Sequence, residues 1–500
     1  MSSIENKNIQ NLKADIVILG GGGSGLTAAV AAAEAGVKNI IVLEKSSTPG
    51  GNAAISHGIF AAESPSQKRQ GIQVSPDMVF QDELKQAGGR VNAKLIRNFI
   101  NQSGRMLVWL EDKGLKFDHV MTLGGVEAFE GGEKAPRVFH LFEAKLDKDM
   151  AIGRKLIETL IEECRKQGIQ IFYDTAASKI LTDEKGNVQG VLATSQGKEI
   201  KISNTSVILA TGGFGGNKDM LNKYFPGHGD IFGNSISEVT GDGLVMAEEA
   251  GANLDSEIGI ILIGPHHYPW ARSLNLLLRR PQVMLVNKLG ERYFGSSAGG
   301  NNALSRQPGK ICYALLDSAL LKDMIRKREI LSDAERAMGD NGTWFDEIED
   351  AFQKENPEGK AKIADSWEEI ARYMGASPEV LKASVERYNS FCDKGYDEDF
   401  LKDKKYLVPL RTPPYYAILG RQGFDSTLGG ILINSNMEVL NKESRIISGL
   451  YAAGDNAGGW SSRDYTPKYP GTALAFAVYS GYTAGRNAAK YLSERKSYKT

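Results

Sequence analysis

Apolar runs of two different kinds predict the first structural unit of the chain. The segment "ADIVILG" (14–20) contains a continuous apolar run, which is typical of a buried strand. The segment "SGLTAAVAAAEAG" (24–36) is rich in alanine and ends in glycine, which favours a helix. The segment "NIIVLEK" (39–45) reads as a second buried strand. We therefore predict a β-α-β unit from Ala14 to Leu43.

The pattern changes twice further along the chain. The strand-like run "TSVILATGG" (205–213) ends in glycines, whereas charged amphipathic helices such as "SPEVLKASVERYNSFCDKG" dominate from about 317 to 399. Glycine clusters return at "STLGGILIN" and "GLYAAGDNAGG". We predict a cap domain inserted into a nucleotide-binding α/β domain, which the C-terminal segment completes.

Composition narrows the possible partners. The 500 residues include 60 basic and 61 acidic side chains, without a basic stripe, so we expect no nucleic-acid partner. No apolar run approaches the ~20 residues that span a bilayer, and we expect a cytoplasmic protein without a transmembrane segment. The 3 cysteines are far apart and lack Cys-x-x-Cys spacing, so no metal or cluster site is predicted.

A glycine-rich turn lies between the first predicted strand and helix. Gly20 can make the turn, Gly22 lets backbone approach a pyrophosphate, and Gly25 lets the helix pack closely on the strand. Glu44 ends the next strand, where its carboxylate can accept the hydroxyls of a ribose. This context predicts a dinucleotide site; the alternative is a glycine-rich turn without a ligand.

The order of several motifs resembles the fumarate reductase/succinate dehydrogenase flavoprotein family over nearly the whole chain. These motifs are "GGGGSGLTAAVAAAEAG", "EKSSTPGGN", "ILATGGFGGN", "TGDGLVMAEEAGA", "VNKLGERY", "PPYYA", "TLGG" and "GLYAAGDNAGG". The resemblance implies an α/β fold: a Rossmann-like, glutathione-reductase-like FAD-binding domain with an inserted α+β cap domain. We place the first part of the FAD-binding domain at 1–263, the cap at 264–424 and the C-terminal part at 425–500.

The resemblance also implies non-covalent FAD, because the Arg-Ser-His-Thr type segment that carries covalent flavin in membrane-bound members is absent and His57 has different neighbours. The residues expected to contact FAD are Gly20, Gly22, Gly23, Ser24, Gly25, Glu44, Lys45, Gly50, Gly51, Asn52, Gly58, Ala177, Ala210, Thr211, Gly212, Asp242, Gly454, Asp455, Gly471, Ala473 and Leu474.

The chain departs from the dicarboxylate reductases of this family at the residues that handle substrate. Glycine near 299–300 stands at the position of the arginine acid, Leu276 at that of the relay glutamate, Ser426 at that of a substrate histidine and Lys468 at that of a carboxylate-binding arginine, while Arg279 is retained. These losses argue against fumarate as substrate. The alternative is a gapped loop in which Arg306 or Arg463 folds back into the site.

The step Tyr469-Pro470-Gly471 resembles the 3-ketosteroid dehydrogenase branch of the same superfamily. By that resemblance, the Tyr469 hydroxyl and the Ala473 backbone N–H polarise a substrate ketone, as an oxyanion hole does. That branch's catalytic tyrosine also falls near 300, where this chain has glycine. The candidates for the proton-transfer group are Tyr465, Tyr268, His266, His267 and Arg306.

We predict a FAD-dependent oxidoreductase that acts on a CH–CH bond next to a carbonyl, by enone reduction or ketone desaturation with hydride exchange at flavin N5. The alternative is a fumarate-reductase-like reductase of an unsaturated carboxylate, with Arg306, Arg463 or Lys468 as replacement cations. A third hypothesis is a flavin-binding protein without a redox substrate. By this resemblance the substrate is a small carbonyl compound. Only one dinucleotide fingerprint is present and FAD takes it, so we expect an external electron donor or acceptor.

Overall fold

A computed structural model describes residues 10–117, 119–122, 136–142, 153–267, 270–295, 301–328, 342–463, 465 and 468–497. The strands within these ranges are β1 (Gln10–Lys13), β2 (Ile16–Leu19), β3 (Ile40–Leu43), β4 (Gly58–Phe60), β5 (His119–Met121), β6 (Phe139–Leu141), β7 (Gln170–Phe172), β8 (Thr175–Thr182), β9 (Val188–Ser195), β10 (Lys198–Ser203), β11 (Ser206–Leu209), β12 (Phe232–Gly233), β13 (Gly259–His266), β14 (Met284–Asn287), β15 (Ile311–Asp317), β16 (Ala361–Ala364), β17 (Tyr415–Leu428), β18 (Glu438–Leu440) and β19 (Ile446–Ala452).

The α-helices in the same ranges are α1 (Gly23–Glu34), α2 (Gly51–Ala54), α3 (Pro65–Arg69), α4 (Pro76–Gln86), α5 (Ala93–Glu111), α6 (Arg154–Lys166), α7 (Lys218–Tyr224), α8 (Asp242–Glu249), α9 (Arg272–Leu278), α10 (Asn301–Ser305), α11 (Ser318–Lys327), α12 (Ile348–Glu355), α13 (Trp367–Met374), α14 (Pro378–Lys394) and α15 (Thr472–Ser497). Short 3₁₀ helices span Pro308–Lys310, Thr343–Glu347, Lys404–Tyr406 and Gly454–Asn456.

The central sheet has the strand order β18-β19-β11-β2-β3-β7. Strands β19, β11, β2, β3 and β7 run parallel, and every residue of β2 and β3 is buried, as their continuous apolar runs predict. Their carboxyl ends therefore share one edge of the sheet. The residues that follow β2, β3, β11 and β19 meet there, and this edge is where open α/β sheets bind ligands.

Helix α1 packs between the sheet and α15 through small residues. It is buried along almost its whole length, from Gly23 to Ala33. A Cβ at Gly481 of α15 would overlap the backbone of Ser24, and one at Gly485 would overlap that of Ala28. The alanine-rich sequence of α1 is thus explained by close contact with a second helix, which requires small side chains on both.

A second hydrophobic core is built from apolar side chains between Leu274 and Leu419. It includes α11, α13 and α14, whose charged amphipathic patterns lie in the region predicted as a cap. Helix α14 is capped by the Ser377 side chain at its start and by Gly395, with φ of 66°, at its end. The mixed α/β class is confirmed.

The two cores are joined by β17. Its residues 415–421 pair with β15, and residues between 421 and 428 pair with β13. The boundaries proposed at 264 and 424 fall inside β13 and β17, so the polypeptide passes between the two cores through paired strands. We keep this division as a proposal. No helix of the described residues combines the length and apolar character needed to cross a membrane.

Candidate active site

A cavity of about 900 Å³ opens at the carboxyl edge of the central sheet and extends toward the second core. Every residue expected to contact FAD lines it except Gly25. Gly25 lies underneath, where a Cβ would overlap the carbonyl oxygen of Gly20. The other residues expected to contact FAD therefore lie together around one cavity. Gly25 does not line the cavity but allows the helix and the strand to pack closely.

The dinucleotide end of the cavity is formed by the turn before α1. Gly20 has φ of 110°, and Gly22, at the N-cap of α1, has no side chain to satisfy the helix's first N–H groups. Such free N–H groups at a helix start suit a phosphate. Glu44 Oε2 accepts a hydrogen bond from Gly21 N at 2.8 Å, which ties the acidic residue to the turn. These features fit the pyrophosphate and ribose of FAD.

Two hydrogen-bond networks connect other side chains of the cavity lining. Lys45 Nζ donates to Thr240 Oγ1 at 2.7 Å and to Asp242 Oδ2 at 2.8 Å, which joins the end of β3 to the start of α8. Ser426 Oγ donates to Asp455 Oδ2 at 2.7 Å. Burial raises the pKa of Asp455 to about 6, against the opposing effect of the Ser426 hydrogen bond.

The Tyr469 hydroxyl does not point into the large cavity. It donates to Asp82 Oδ2 at 2.5 Å, and Lys468 Nζ donates to the same oxygen at 2.7 Å. Tyr469 does not line the large cavity but a separate small one, together with Phe60, Phe99 and other apolar residues. The geometry thus gives the Tyr469 hydroxyl a carboxylate partner in place of the predicted ketone, and gives Lys468 the same partner.

Tyr465 is the tyrosine of this segment that lines the large cavity. The Ala473 N–H, predicted as the second ketone-polarising donor, donates to the Tyr465 hydroxyl oxygen at 3.3 Å. Burial raises the pKa of Tyr465 to about 12, although the hydrogen bond from Ala473 opposes that shift. The phenol therefore keeps its proton at neutral pH and can offer it to a group in the cavity.

The two adjacent histidines face different surroundings. His266 lines the cavity, and Arg279 Nη2 lies 2.7 Å from its Nε2 atom. Burial, reinforced by the Arg279 charge, lowers the pKa of His266 to about 3. His267 is outside the cavity lining, with Nδ1 2.8 Å from the Leu419 oxygen and its ring against Trp270. His267 therefore lies away from the cavity in which its predicted catalytic role would place it.

The proposed replacement cations do not reach the cavity either. Arg306 is exposed at the end of α10, and Arg463 is exposed with Nη2 3.4 Å from the Ser256 oxygen. Neither lines the cavity. The predicted roles of Tyr268 and of the glycines at 299–300 concern positions outside the described residues.

Sequence reasoning missed Asp425, which lines the cavity one residue before Ser426. Asn234 Nδ2 donates to its Oδ1 at 2.8 Å. Burial raises the pKa of this carboxyl, against smaller opposing effects of Asn234, Arg279 and His57. The signal in the sequence was a single acidic residue in the otherwise apolar and small run "GFDSTLGG", next to the position where the family has a substrate histidine.

Comparisons with known proteins give the same family. The model of the FAD binding domain family matches residues 15–466. The chain is 29% identical to a vinyl phenol reductase of Lactiplantibacillus plantarum, with 96% of this chain and 97% of that protein covered. It is 30% identical to the NADH:fumarate oxidoreductase of Klebsiella pneumoniae, with 95% of this chain but only 48% of that protein covered.

Among solved structures, 3-ketosteroid-delta4-(5alpha)-dehydrogenase from Rhodococcus jostii RHA1 is similar, with a TM-score of 0.75 and 25% identity over 97% of this chain and 99% of that one. The family model covers most of the chain, and the relatives are named as a reductase, an oxidoreductase and a dehydrogenase. The chain therefore belongs to the FAD binding domain family, the group of the fumarate reductase and succinate dehydrogenase flavoproteins, and is a flavin-dependent oxidoreductase acting on C=C (CH–CH) bonds.

Proposed function

We propose that this protein reduces the C=C bond of a small substrate in which that bond is conjugated with a carboxylate or a phenol ring. The observation that carries this proposal is the placement of Tyr469. Its hydroxyl is bound to Asp82 outside the large cavity, so the ketone-polarising pair of the primary sequence-based interpretation is not assembled there. The names of the relatives, a vinyl phenol reductase and a fumarate oxidoreductase, support the alternative interpretation better than ketone desaturation.

The cofactor in this proposal is non-covalent FAD, which supplies hydride transfer at N5 when bound. The turn before α1 would receive the pyrophosphate, Glu44 the adenosine ribose, and the wall at Asp455 the ribityl chain. Asp455 supports that role because it is buried and already linked to Ser426, which fixes the direction of its second oxygen. Electrons would come from an external donor, and the cytoplasm stays the expected compartment.

The part of the cavity away from the dinucleotide turn would orient the substrate. His266, Asn275 and Tyr465 give it hydrogen-bonding groups, and Phe139 and Ile261 add apolar surface. Because His266 stays neutral, it can accept a hydrogen bond from a phenol or donate one to a carboxylate, depending on its tautomer. The Arg279 guanidinium behind it adds positive potential, which favours an anionic or phenolic substrate end at this position.

The test is anaerobic stopped-flow absorbance of the reduced flavin. Reduced protein is mixed with fumarate, acrylate, a cinnamate, 4-vinylphenol and a cyclic enone in separate runs. We expect rapid flavin reoxidation by at least one unsaturated acid or by the vinylphenol, and none by the enone. Reoxidation by the enone alone would contradict the proposal and restore the ketone-directed interpretation.

A further inference from the structure

Asp425 is a carboxyl group that faces the substrate end of the cavity without an assigned task. It lies on β17, where β13 pairs alongside, and Ile261 and Phe232 line the cavity near it. Asn234 fixes Oδ1 at 2.8 Å. For Oδ2, the described residues contribute no hydrogen bond within 3.5 Å, so this oxygen is the one available to a molecule in the cavity.

The groups around Asp425 would allow its carboxyl to act as a general acid. His57 and His266 line the same cavity, and Arg279, which contacts His266, acts on Asp425 through its charge. These neighbours limit the shift, but burial prevails and holds the pKa of Asp425 above its ordinary value. A carboxyl with a raised pKa is protonated for a larger fraction of the time near neutral pH, which general acid catalysis requires.

Reduction of a C=C bond needs a proton as well as a hydride. By the family resemblance, the arginine that the dicarboxylate reductases place for this purpose falls on glycine near 299–300, and Arg306 and Arg463 do not line the cavity. Besides Asp455, which is assigned to the cofactor, the lining includes His57, His266 and Tyr465 as groups that could give a proton. The low pKa of His266 means that at neutral pH it lacks the acidic proton of an imidazolium, and the pKa of Tyr465, about 12, makes the phenol a weaker acid than a carboxyl.

We infer that Asp425 is the proton donor of the reaction. This inference rests on the proposed function. Reduced FAD, when bound, would supply the hydride that forms a C–H bond at one alkene carbon, and the π electron pair would move to the other carbon. That carbon takes the proton from the Asp425 carboxyl: the O–H bond breaks, the oxygen keeps the electron pair, and solvent reprotonates the carboxylate. The reductant is the external donor that reduces the flavin, and the sum is one hydride and one proton added to the C=C bond.

The test compares Asp425→Asn, Asp425→Glu and the control Asp323→Asn as flavin-loaded proteins. Asparagine keeps the size and the contact with Asn234 but carries no acidic proton. We expect Asp425→Asn to retain flavin and reoxidation by ferricyanide, and to lose reoxidation by the reactive alkene about 100-fold or more. Asp323 is half-exposed on α11 and paired with Arg326, so its variant should behave as wild type.

The pH profile separates a donor from a packing residue. In the wild type, the alkene-dependent rate should fall as pH rises through the pKa of Asp425, Asp425→Glu should recover part of the rate with a shifted limb, and Asp425→Asn should lack that limb. An alkene rate in Asp425→Asn within threefold of wild type would overturn the inference, and would do so most clearly if Tyr465→Phe lost the alkene rate that Asp425→Asn keeps. If no alkene reoxidises even the wild type, the proposed function fails with it.

Discussion

At the scale of single residues, one carboxylate oxygen of Asp82 accepts hydrogen bonds from both Lys468 and Tyr469. Burial opposes ionisation of Asp82, but these two hydrogen bonds outweigh it and hold its pKa below the ordinary value. The folded state thus binds a proton at Asp82 less readily than the unfolded chain does. The resulting stabilisation is present above about pH 4 and is lost as pH falls through the folded-state pKa.

We expect Tyr469→Phe to reduce stability and leave turnover within about threefold of wild type. The substitution removes a buried hydroxyl that donates to a charged group, which costs about 1–3 kcal/mol in free energy of unfolding. Urea unfolding at pH 7 measures that loss, and stopped-flow reoxidation measures turnover.

The matched comparison is Tyr465→Phe, since Tyr465 lines the large cavity whereas Tyr469 does not. We expect Tyr465→Phe to change flavin retention or substrate reduction, because Ala473 N–H loses its acceptor. If Tyr469→Phe instead loses turnover at unchanged stability, the Tyr469 hydroxyl must act on the substrate after all.

At the scale of elements, the contact between α1 and α15 brings the C-terminal helix against the dinucleotide turn. Ser480 Oγ donates back to the Phe476 oxygen at 2.6 Å and accepts from Gly454 N at 2.9 Å. Gly454 also lines the cavity. The close contact between the small-residue faces of α1 and α15 therefore helps to position Gly454, one of the residues expected to contact FAD.

Replacing Gly485 with alanine should push α15 away from α1. The added Cβ would overlap the Ala28 backbone, which cannot move without displacing the helix. Overpacking of this kind costs about 1–3 kcal/mol, and we expect a lower thermal midpoint together with weaker flavin retention. Thermal unfolding followed by flavin fluorescence measures both.

Lys490→Ala on the same helix is the control, because Lys490 is exposed and its pairing with Glu494 has an N–O distance of 3.9 Å. If Gly485→Ala shows the same midpoint as this control, the close helix contact does not limit stability.

At the scale of the whole molecule, two buried histidines, one beside each core, resist protonation. Burial lowers the pKa of His140 to about 4, and it lowers the pKa of His267 to about 4 as well. Each is held by hydrogen bonds, His140 to Ser64 at 2.6 Å and His267 to the Leu419 oxygen at 2.8 Å. Below about pH 6.5 these histidines become protonated in the unfolded chain, whereas in the folded protein they stay neutral until the pH approaches 4.

Stability should therefore fall as pH is lowered from about 6.5 toward 4. Each histidine contributes a slope of up to about 1.4 kcal/mol per pH unit. We expect His140→Gln to flatten that pH dependence, as measured by urea unfolding at several pH values. His119→Gln is the control since His119 is exposed, and an equal slope in both variants would show that His140 does not set the dependence.

Local sequence was enough to select residues that line one cavity. The glycine turn, its spacing to Glu44 and the glycines after β11 depend on short-range rules, because the carboxyl ends of parallel strands must meet at one edge. All the expected cofactor residues but Gly25 line one cavity for that reason. The family and the α/β class followed from the same motifs.

Only the tertiary structure decided which polar residue at the substrate end faces the cavity. His266 and His267 are neighbours, as are Asp425 and Ser426, and Tyr465 and Tyr469 share one loop. Sequence shows that such residues are present, but the direction of each side chain depends on the strands and helices that pack against it. That packing turned His267 toward Leu419 and Tyr469 toward Asp82, and left His266, Tyr465 and Asp425 in the cavity.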